Sequence, residues 1–252
     1  LRGNSYYFLI KNVMTKQNKT LLFDLETAPL LSYTWGIWEQ NVVEVKRDWY
    51  ILSVAWKWLG ESKVHVMSLP QFKNWNKDKE DDSALIKELW KLFDEAEVIV
   101  AHNGNSFDIK KSNARFIINE LKPPSPYKTI DTKLVAKRYF KFDSNKLNEL
   151  GKYLKLGKKL ETGGFELWKG CMAGDMKAWK KMCAYNKQDV VLLEKVYNKL
   201  LPWITNHPSD TGAGCPNCNS NNLIKSKLRM TRTGPKQQWQ CKDCGAYKTT
   251  RK

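Results

Sequence analysis

A chain of 252 residues has room for one domain of ordinary size and a small second one, and 42% hydrophobic residues are enough to fill a core. The net charge of +17 points to a polyanionic partner, most simply nucleic acid, although a solvated Lys-rich surface gives the same number. No apolar run reaches the roughly 18 residues of a membrane-crossing helix, and YYFLI near the start is too short, with no small-residue cleavage site after it, to read as a secretory signal.

Residues 1–13 read as an upstream extension, and TLLFDLET (20–27) is the first clear strand. The Trp-rich stretch YTWGIWEQNVVEVKRDW reads as loop with some extended structure. YILSVAWKWL (50–59) and KVHVMSL (63–69), joined by the turn sequence GES, form a hairpin. In SALIKELWKLFDEA (83–96) apolar residues recur at 85, 89, 92, 93 and 96, the spacing of an amphipathic helix, with Asp82 or Ser83 as its cap. EVIVAH (97–102) is a short buried strand. DIKKSNARFIINEL (108–121) is a helix halted by KPPSP. YKTIDT (127–132) is a strand leading into a basic helix through Phe140, and NKLNELGKYL (145–154) is a further helix. ETGGFELWKG reads as loop, and residues 175–204 as a long helix with one break before Tyr185. The order is that of a mixed α/β sheet flanked by helices.

TNHPSDTGAG (205–214) has linker composition. The domain layout is therefore an extension at 1–19, a body at 20–204, a linker at 205–214 and a tail domain at 215–252. Residues 212–252 hold nine Lys or Arg against one acidic residue, a far denser positive charge than the body carries.

The tail contains CPNC and CKDC, placing Cys215, Cys218, Cys241 and Cys244 in two pairs separated by 22 residues. A two-residue gap lets both sulfurs of a pair reach one tetrahedral ion, and the doubled pair is a structural Zn²⁺ signature more than a redox or disulfide one. About 40 residues cannot build a sufficient core alone, so a zinc ribbon would draw much of its folding free energy from the ion. Lys225, Arg229 and Arg232 between the pairs, with Trp239 near the second, suit a nucleic-acid backbone and a stacked base. Protein contact is the competing use of such a ribbon. Cys171 and Cys183 read as ordinary semi-buried thiols.

In the body, Asp24 and Glu26 stand two apart at the end of a strand, on one face, where like charges repel. HNGNSFD (102–108) sets Asp108 at a helix start after a buried strand. YNKQD (185–189) sets Tyr185 and Asp189 on one helical face. Each alone has a plain reading: an exposed acidic strand end, a helix cap, a common surface pair. His102 reads as structural, and Asp131 as the cap of the helix that follows it.

In this order, D-x-E-T, N-x-x-x-F-D and Y-x-x-x-D resemble the three motifs of the DnaQ-like (DEDD) 3′–5′ exonucleases, tyrosine subclass, over residues 20–200. With the four-Cys tail, the layout is similar to exonucleases of bacteriophage and bacteria. The resemblance implies a ribonuclease H-like fold and a cytoplasmic setting in a bacterium or phage-infected host. It implies that Asp24, Glu26, Asp108 and Asp189 hold two Mg²⁺ or Mn²⁺ ions for in-line hydrolysis of a phosphodiester. It also implies that Tyr185 orients the attacking water and that Thr27 meets the terminal nucleotide. Lys110 and Arg115 could follow the phosphate backbone. The expected partner is the 3′ end of single-stranded DNA. A ribonuclease or endonuclease using the same site stays open, as does a weakly catalytic module that binds nucleic acid through the ribbon.

Overall fold

The computed structural model describes residues 18–38, 41–208 and 214–249. Most of the expected N-terminal extension and linker residues 209–213 lie outside the described residues. The chain divides into two compact units, Thr20–Tyr197 and a smaller one that includes Asn198–Lys252.

The larger unit is built on a five-stranded sheet of β1 (Thr20–Thr27), β4 (Ile51–Trp58), β5 (His65–Ser68), β6 (Val98–Ala101) and β7 (Lys128–Asp131), in the order β5-β4-β1-β6-β7. The β1–β4 and β4–β5 pairs are antiparallel, and the β1–β6 and β6–β7 pairs are parallel. This is the mixed sheet that the ribonuclease H-like expectation requires. Between β1 and β4, the stretch read as loop forms a small antiparallel hairpin of β2 (Leu31–Tyr33) and β3 (Glu44–Arg47).

The helices are α1 (Ser83–Glu95), α2 (Asp108–Ile118), α3 (Thr132–Tyr139), α4 (Leu147–Tyr153), α5 (Glu166–Ala173) and α6 (Met176–Leu200). The alternation along β1 sorts its two faces. Leu21, Phe23 and Leu25 enter the main core with Leu85, Leu89 and Phe93 of α1. Phe93 lies edge-on to Phe23, Phe116 and Tyr127, with ring centroids 5.1, 5.3 and 5.5 Å away. Leu22, Asp24 and Glu26 occupy the opposite positions, so the face that carries the carboxylates is set by the same period that fills the core.

Two sequence expectations are corrected here. FELWKG is not loop: Glu166–Ala173 is helical, with Leu167 and Cys171 buried one turn apart. It ends at Gly174, whose φ of +86° suits only a residue without a Cβ, before Asp175 accepts from the Lys177 N–H at 2.8 Å to start α6. The break expected before Tyr185 does not occur, and α6 runs unbroken for 25 residues. Ala178, Trp179 and Met182, just before Tyr185, are buried against the main core, and that packing carries the helix through.

In the smaller unit, β8 (Leu223–Thr231), β9 (Gly234–Cys241) and β10 (Tyr247–Thr249) form an antiparallel sheet in the order β10-β9-β8. Its enclosed core is small: Cys215, Cys241 and Ala246, with Cys218, Leu223 and Cys244 against them. Among the described residues, no helix is long and apolar enough to cross a membrane.

Candidate metal centres

The first centre is assembled from three separate elements. β1 ends in Asp24 and Glu26. On β4, Ser53 pairs in register with Glu26, and Lys57 with Leu22, so both project toward the face that α6 covers. Asn186 on α6 accepts from the Ser53 hydroxyl at 3.0 Å and donates to Asp24 Oδ2 at 2.7 Å. Two helical turns on, Glu194 accepts from Lys57 Nζ at 2.6 Å. These two clamps fix the rotation of α6 about its axis, and Asp189, between them, is aimed at β1.

One oxygen from each of Asp24, Glu26 and Asp189 lies within 4.8 Å of the others, a separation at which they can share a cation. Asp108, buried at the start of α2, stands outside that trio. Its Oδ1 accepts from the Leu25 N–H at 3.3 Å, so its carboxylate is turned toward the β1 backbone between Asp24 and Glu26.

Burial, joined at Asp24 and Glu26 by the charges of neighbouring acids, holds these carboxyls above the usual carboxylate range. Asp24 is raised by burial and then by the charges of Asp108, Glu26 and Asp189. Glu26 is pushed up to about 8 by burial and by Asp189. Asp108 rises to about 7 by burial, against the pull of the Leu25 N–H. Asp189 is also raised by burial, with Lys159 and the Tyr185 hydroxyl opposing.

Lys159 is the counter-charge. Its Nζ lies 2.5 Å from Asp189 Oδ2 and 3.1 Å from the Tyr185 hydroxyl. Burial would lower its pKa, but Asp189 and Asp24 outweigh burial and raise it. The loop that carries it is seated by close packing: a Cβ on Gly151 of α4 would meet the Gly157 carbonyl at 2.6 Å and Leu192 of α6 at 2.9 Å. Asn148 then accepts from the Lys159 N–H at 2.9 Å. One ammonium cannot balance four acids. Asp189 Oδ1 is buried with no hydrogen-bond partner, and oxygen donors of this kind suit a hard divalent cation. Tyr185 lies edge-on to Trp168 at 6.2 Å, and burial followed by the Asp189 charge raises its pKa, so its hydroxyl stays protonated at neutral pH.

The remaining expected residues are spread more widely. Thr27 is half-buried at the register shift that follows Glu26, and Lys110 is exposed on the first turn of α2. Arg115 is turned inward: its guanidinium donates to Asp82, a fully enclosed carboxylate that also accepts from the Ile51 N–H at 2.9 Å. Through Asp82 this joins α2 to β4. Asp131 caps α3 through the Lys133 and Leu134 N–H groups. It also accepts from the N–H groups of Asn103 and Asn105, so it ties down the turn that delivers Asp108. His102 donates from Nε2 to the Asn145 carbonyl and accepts at Nδ1 from Thr132, each at 2.9 Å. Burial lowers it to about 4, so it is neutral and structural. Lys159 and Asn186 are the site residues that motif reading passed over. Asn186 had one usable signal, its position three before Asp189 on the same helical face.

The second centre is the cysteine cluster, with one Sγ from each of Cys215, Cys218, Cys241 and Cys244 within 4.8 Å of the others. Cys215 to Cys244 is 3.5 Å and Cys218 to Cys241 is 3.6 Å. A tetrahedron with Zn–S bonds of about 2.3 Å has edges of about 3.8 Å, whereas a disulfide needs about 2.05 Å. The two knuckles repeat one backbone pattern. Cys215 N–H donates to Ser220 O and Cys241 N–H to Ala246 O, both at 2.8 Å. Asn219 and Gly245 return bonds to the first cysteine of each pair at 2.9 Å. These two equivalent residues have φ of +59° and +79°. Burial raises thiols here, but the N–H groups of Cys244 and Asp243 pull Cys241 down to about 7. On β8, Lys225 and Arg229 are exposed, as is Arg232 just beyond it; Trp239, opposite Lys225 in register, is half-buried.

The carboxylate centre makes a pH-dependent prediction for the metal-free protein. Glu26 ionises near 4.5 when unfolded and near 8 when folded. Below about pH 4.5 both states hold its proton; as pH rises toward 8 the unfolded state loses it first, so folded stability falls. In chelator, Glu26→Gln is expected to gain about 4 kcal/mol over the parent between pH 4.5 and 8.5. Paired urea titrations check this. The paired difference cancels His102, whose lowered pKa acts with the opposite sign. A flat difference across that range would contradict the account.

Residues 21–201 match a family described as the RNase_H superfamily. None of the curated proteins matches the sequence. Among solved structures, the fold is similar to that of the family B DNA polymerase from the hyperthermophilic archaeon Pyrobaculum calidifontis, with a TM-score of 0.55 and 17% identity. That match covers 74% of this chain and 25% of the polymerase, so the chain spans about a quarter of its length.

Proposed function

The chain belongs to the RNase_H superfamily, and on that premise we propose that it is a 3′–5′ exonuclease of the DnaQ-like tyrosine subclass, of the type found in bacteriophage and bacteria. It would act on DNA, preferring single strands, and release nucleoside monophosphates. The observation that carries this reading is the convergence of one oxygen from each of Asp24, Glu26 and Asp189 within 4.8 Å of one another, beside a buried Asp189 Oδ1 that has no hydrogen-bond partner. Acidic groups packed this closely for structural reasons would be paired with fixed cations, and Lys159 alone falls short of that.

Asp24, Glu26 and Asp189 would hold Mg²⁺ or Mn²⁺, with Asp108 beside them for a second ion. When bound, the ions supply positive charge at the phosphate and make water acidic. The chain's own groups do the rest. The Tyr185 hydroxyl, kept protonated, positions the water. Lys159 neutralises Asp189 and lies where a phosphate oxygen would approach. Thr27 and Lys110 are placed to contact the terminal nucleotide and its backbone. We take residues 20–204 as the catalytic domain and 215–252 as a zinc ribbon. The exposed cations of the ribbon, Lys225, Arg229 and Arg232, would meet the phosphate backbone, with Trp239 at its margin.

The test is a time course with 5′-labelled DNA and RNA oligonucleotides in Mg²⁺, Mn²⁺ or chelator, alongside a closed single-stranded circle. A ladder of products shortened from the 3′ end of DNA, absent in chelator, with the circle intact, is the expected result. Cutting of the circle would replace the exonuclease with an endonuclease, and selective loss of the RNA would replace the substrate. No cleavage under any metal would leave only binding.

A further inference from the structure

Seven of the eleven tryptophans lie in or against the main core. Trp35 and Trp38 do the reverse. They stand 84% and 90% exposed at the tip of the β2–β3 hairpin, with Ile37 between them 89% exposed. Burying such side chains is strongly favourable, so two bare indoles on one turn mark a contact surface. The hairpin's root is fixed. Its first leg follows β1 directly, with the Ala28 N–H donating to the Tyr50 carbonyl at 2.9 Å, and its second leg is tied by the ion pair of Arg47 with Glu80. Cations and aromatic rings connect that root to the carboxylates. Lys111, one turn beyond Asp108, sits over the Trp49 ring at 3.4 Å, and Lys46 lies 5.8 Å from the Tyr33 ring on the hairpin itself.

Resting on the proposed function, we infer that Trp35 and Trp38 stack on unpaired bases of the strand whose 3′ end lies at the carboxylate cluster. Sequence-tolerant binding of single strands combines aromatic platforms with cations for the phosphates, and Lys111 and Lys46 lie on elements between Asp108 and this tip in a chain of charge +17. Stacking there, eight or more residues along the chain beyond Thr27, would engage nucleotides upstream of the scissile bond. It would therefore set affinity and the minimum length of substrate, and leave the chemical step alone.

The experiment uses the full chain and fluorescein-labelled oligothymidylates of 4 and 12 nucleotides, with anisotropy read in chelator so that binding does not depend on cleavage. The indoles are exposed, so Trp35→Ala/Trp38→Ala is expected to fold as the parent does, which circular dichroism checks. It should bind the 12-mer at least about tenfold more weakly, since each stacked base lost to alanine costs that order of affinity. Its affinity for the 4-mer should be unchanged, and Trp35→Phe/Trp38→Phe should recover most of the loss. In Mg²⁺ the double alanine variant should show a raised KM on the 12-mer with kcat within twofold. Parental affinity for the 12-mer overturns the inference. So does parental binding to anionic phospholipid vesicles that the alanine variant loses, which would make the tip a membrane contact. A parent that binds the 12-mer through these tryptophans but never cleaves DNA or RNA would sink the proposed function and leave the stacking hairpin standing.

Discussion

Asp24→Asn is expected to lower the hydrolysis rate at saturating Mg²⁺ by at least about 10³-fold, a cost of about 4 kcal/mol in the barrier. The substitution keeps the shape of the side chain and an oxygen able to accept from Asn186 Nδ2, so the clamp between β1 and α6 survives. What it removes is charge. The centre holds three mutually close carboxylates and a fourth beside them, against one ammonium. Without a cation, that arrangement keeps all four carboxyls above their usual range. With a divalent ion the same charges become ligands. The two effects have opposite signs in one variant. In chelator, Asp24→Asn should be more stable than the parent, because repulsion is relieved. In Mg²⁺ or Mn²⁺ the parent should gain melting temperature and the variant little. Cleavage within tenfold of the parent would remove Asp24 from the reaction. A variant destabilised in chelator would show that its carboxylate serves the fold.

How much of this was legible beforehand depended on whether the information was local. β1 was read residue for residue as Thr20–Thr27, because an apolar run ends in D-x-E and a Pro break follows. Asp108 at a helix start and Tyr185 with Asp189 on one helical face were equally local signals, set by spacing alone. Asn186 and Lys159 were not. Asn186 matters because Ser53 and Asp24 lie against it, 133 and 162 residues away in sequence. Lys159 sits in a loop rich in lysine and glycine, where nothing in the sequence marks one ammonium as enclosed. Arg115 shows the same limit from the other side. A basic residue on a helix near Asp108 reads as a phosphate ligand, and nothing local marks its pairing with Asp82, 33 residues upstream. The same cause explains α5 and the continuous α6. Gly163 and Gly164 before α5, and the stretch before Tyr185 in α6, look like interruptions, because the packing that keeps them helical is a tertiary property.

The ribbon offers the sharpest dependence on an absent group. Its enclosed core amounts to two cysteines and an alanine, with three further side chains against them. Ordering the backbone costs roughly 1–2 kcal/mol for each residue, far more than this core can offset across three strands. Cross-linking of the four sulfurs by an ion would offset this, and structural Zn²⁺ supplies about 10–16 kcal/mol in small domains. Cys241→Ser removes a thiol lowered to about 7, and with it the sulfur that the Cys244 and Asp243 N–H groups prepare as a thiolate. Purified parent is expected to carry one zinc per chain by elemental analysis, and Cys241→Ser none. Hydrogen exchange should then show β8, β9 and β10 unprotected in the variant, while amides of β1 and β6, within the larger unit, keep the parent's protection. Treating the parent with a strong zinc chelator should reproduce that pattern, and added Zn²⁺ should reverse it. Strands β8 and β9 that stay protected without metal would mean that the hairpin folds on its own hydrogen bonds, with the four sulfurs gathered for some other purpose.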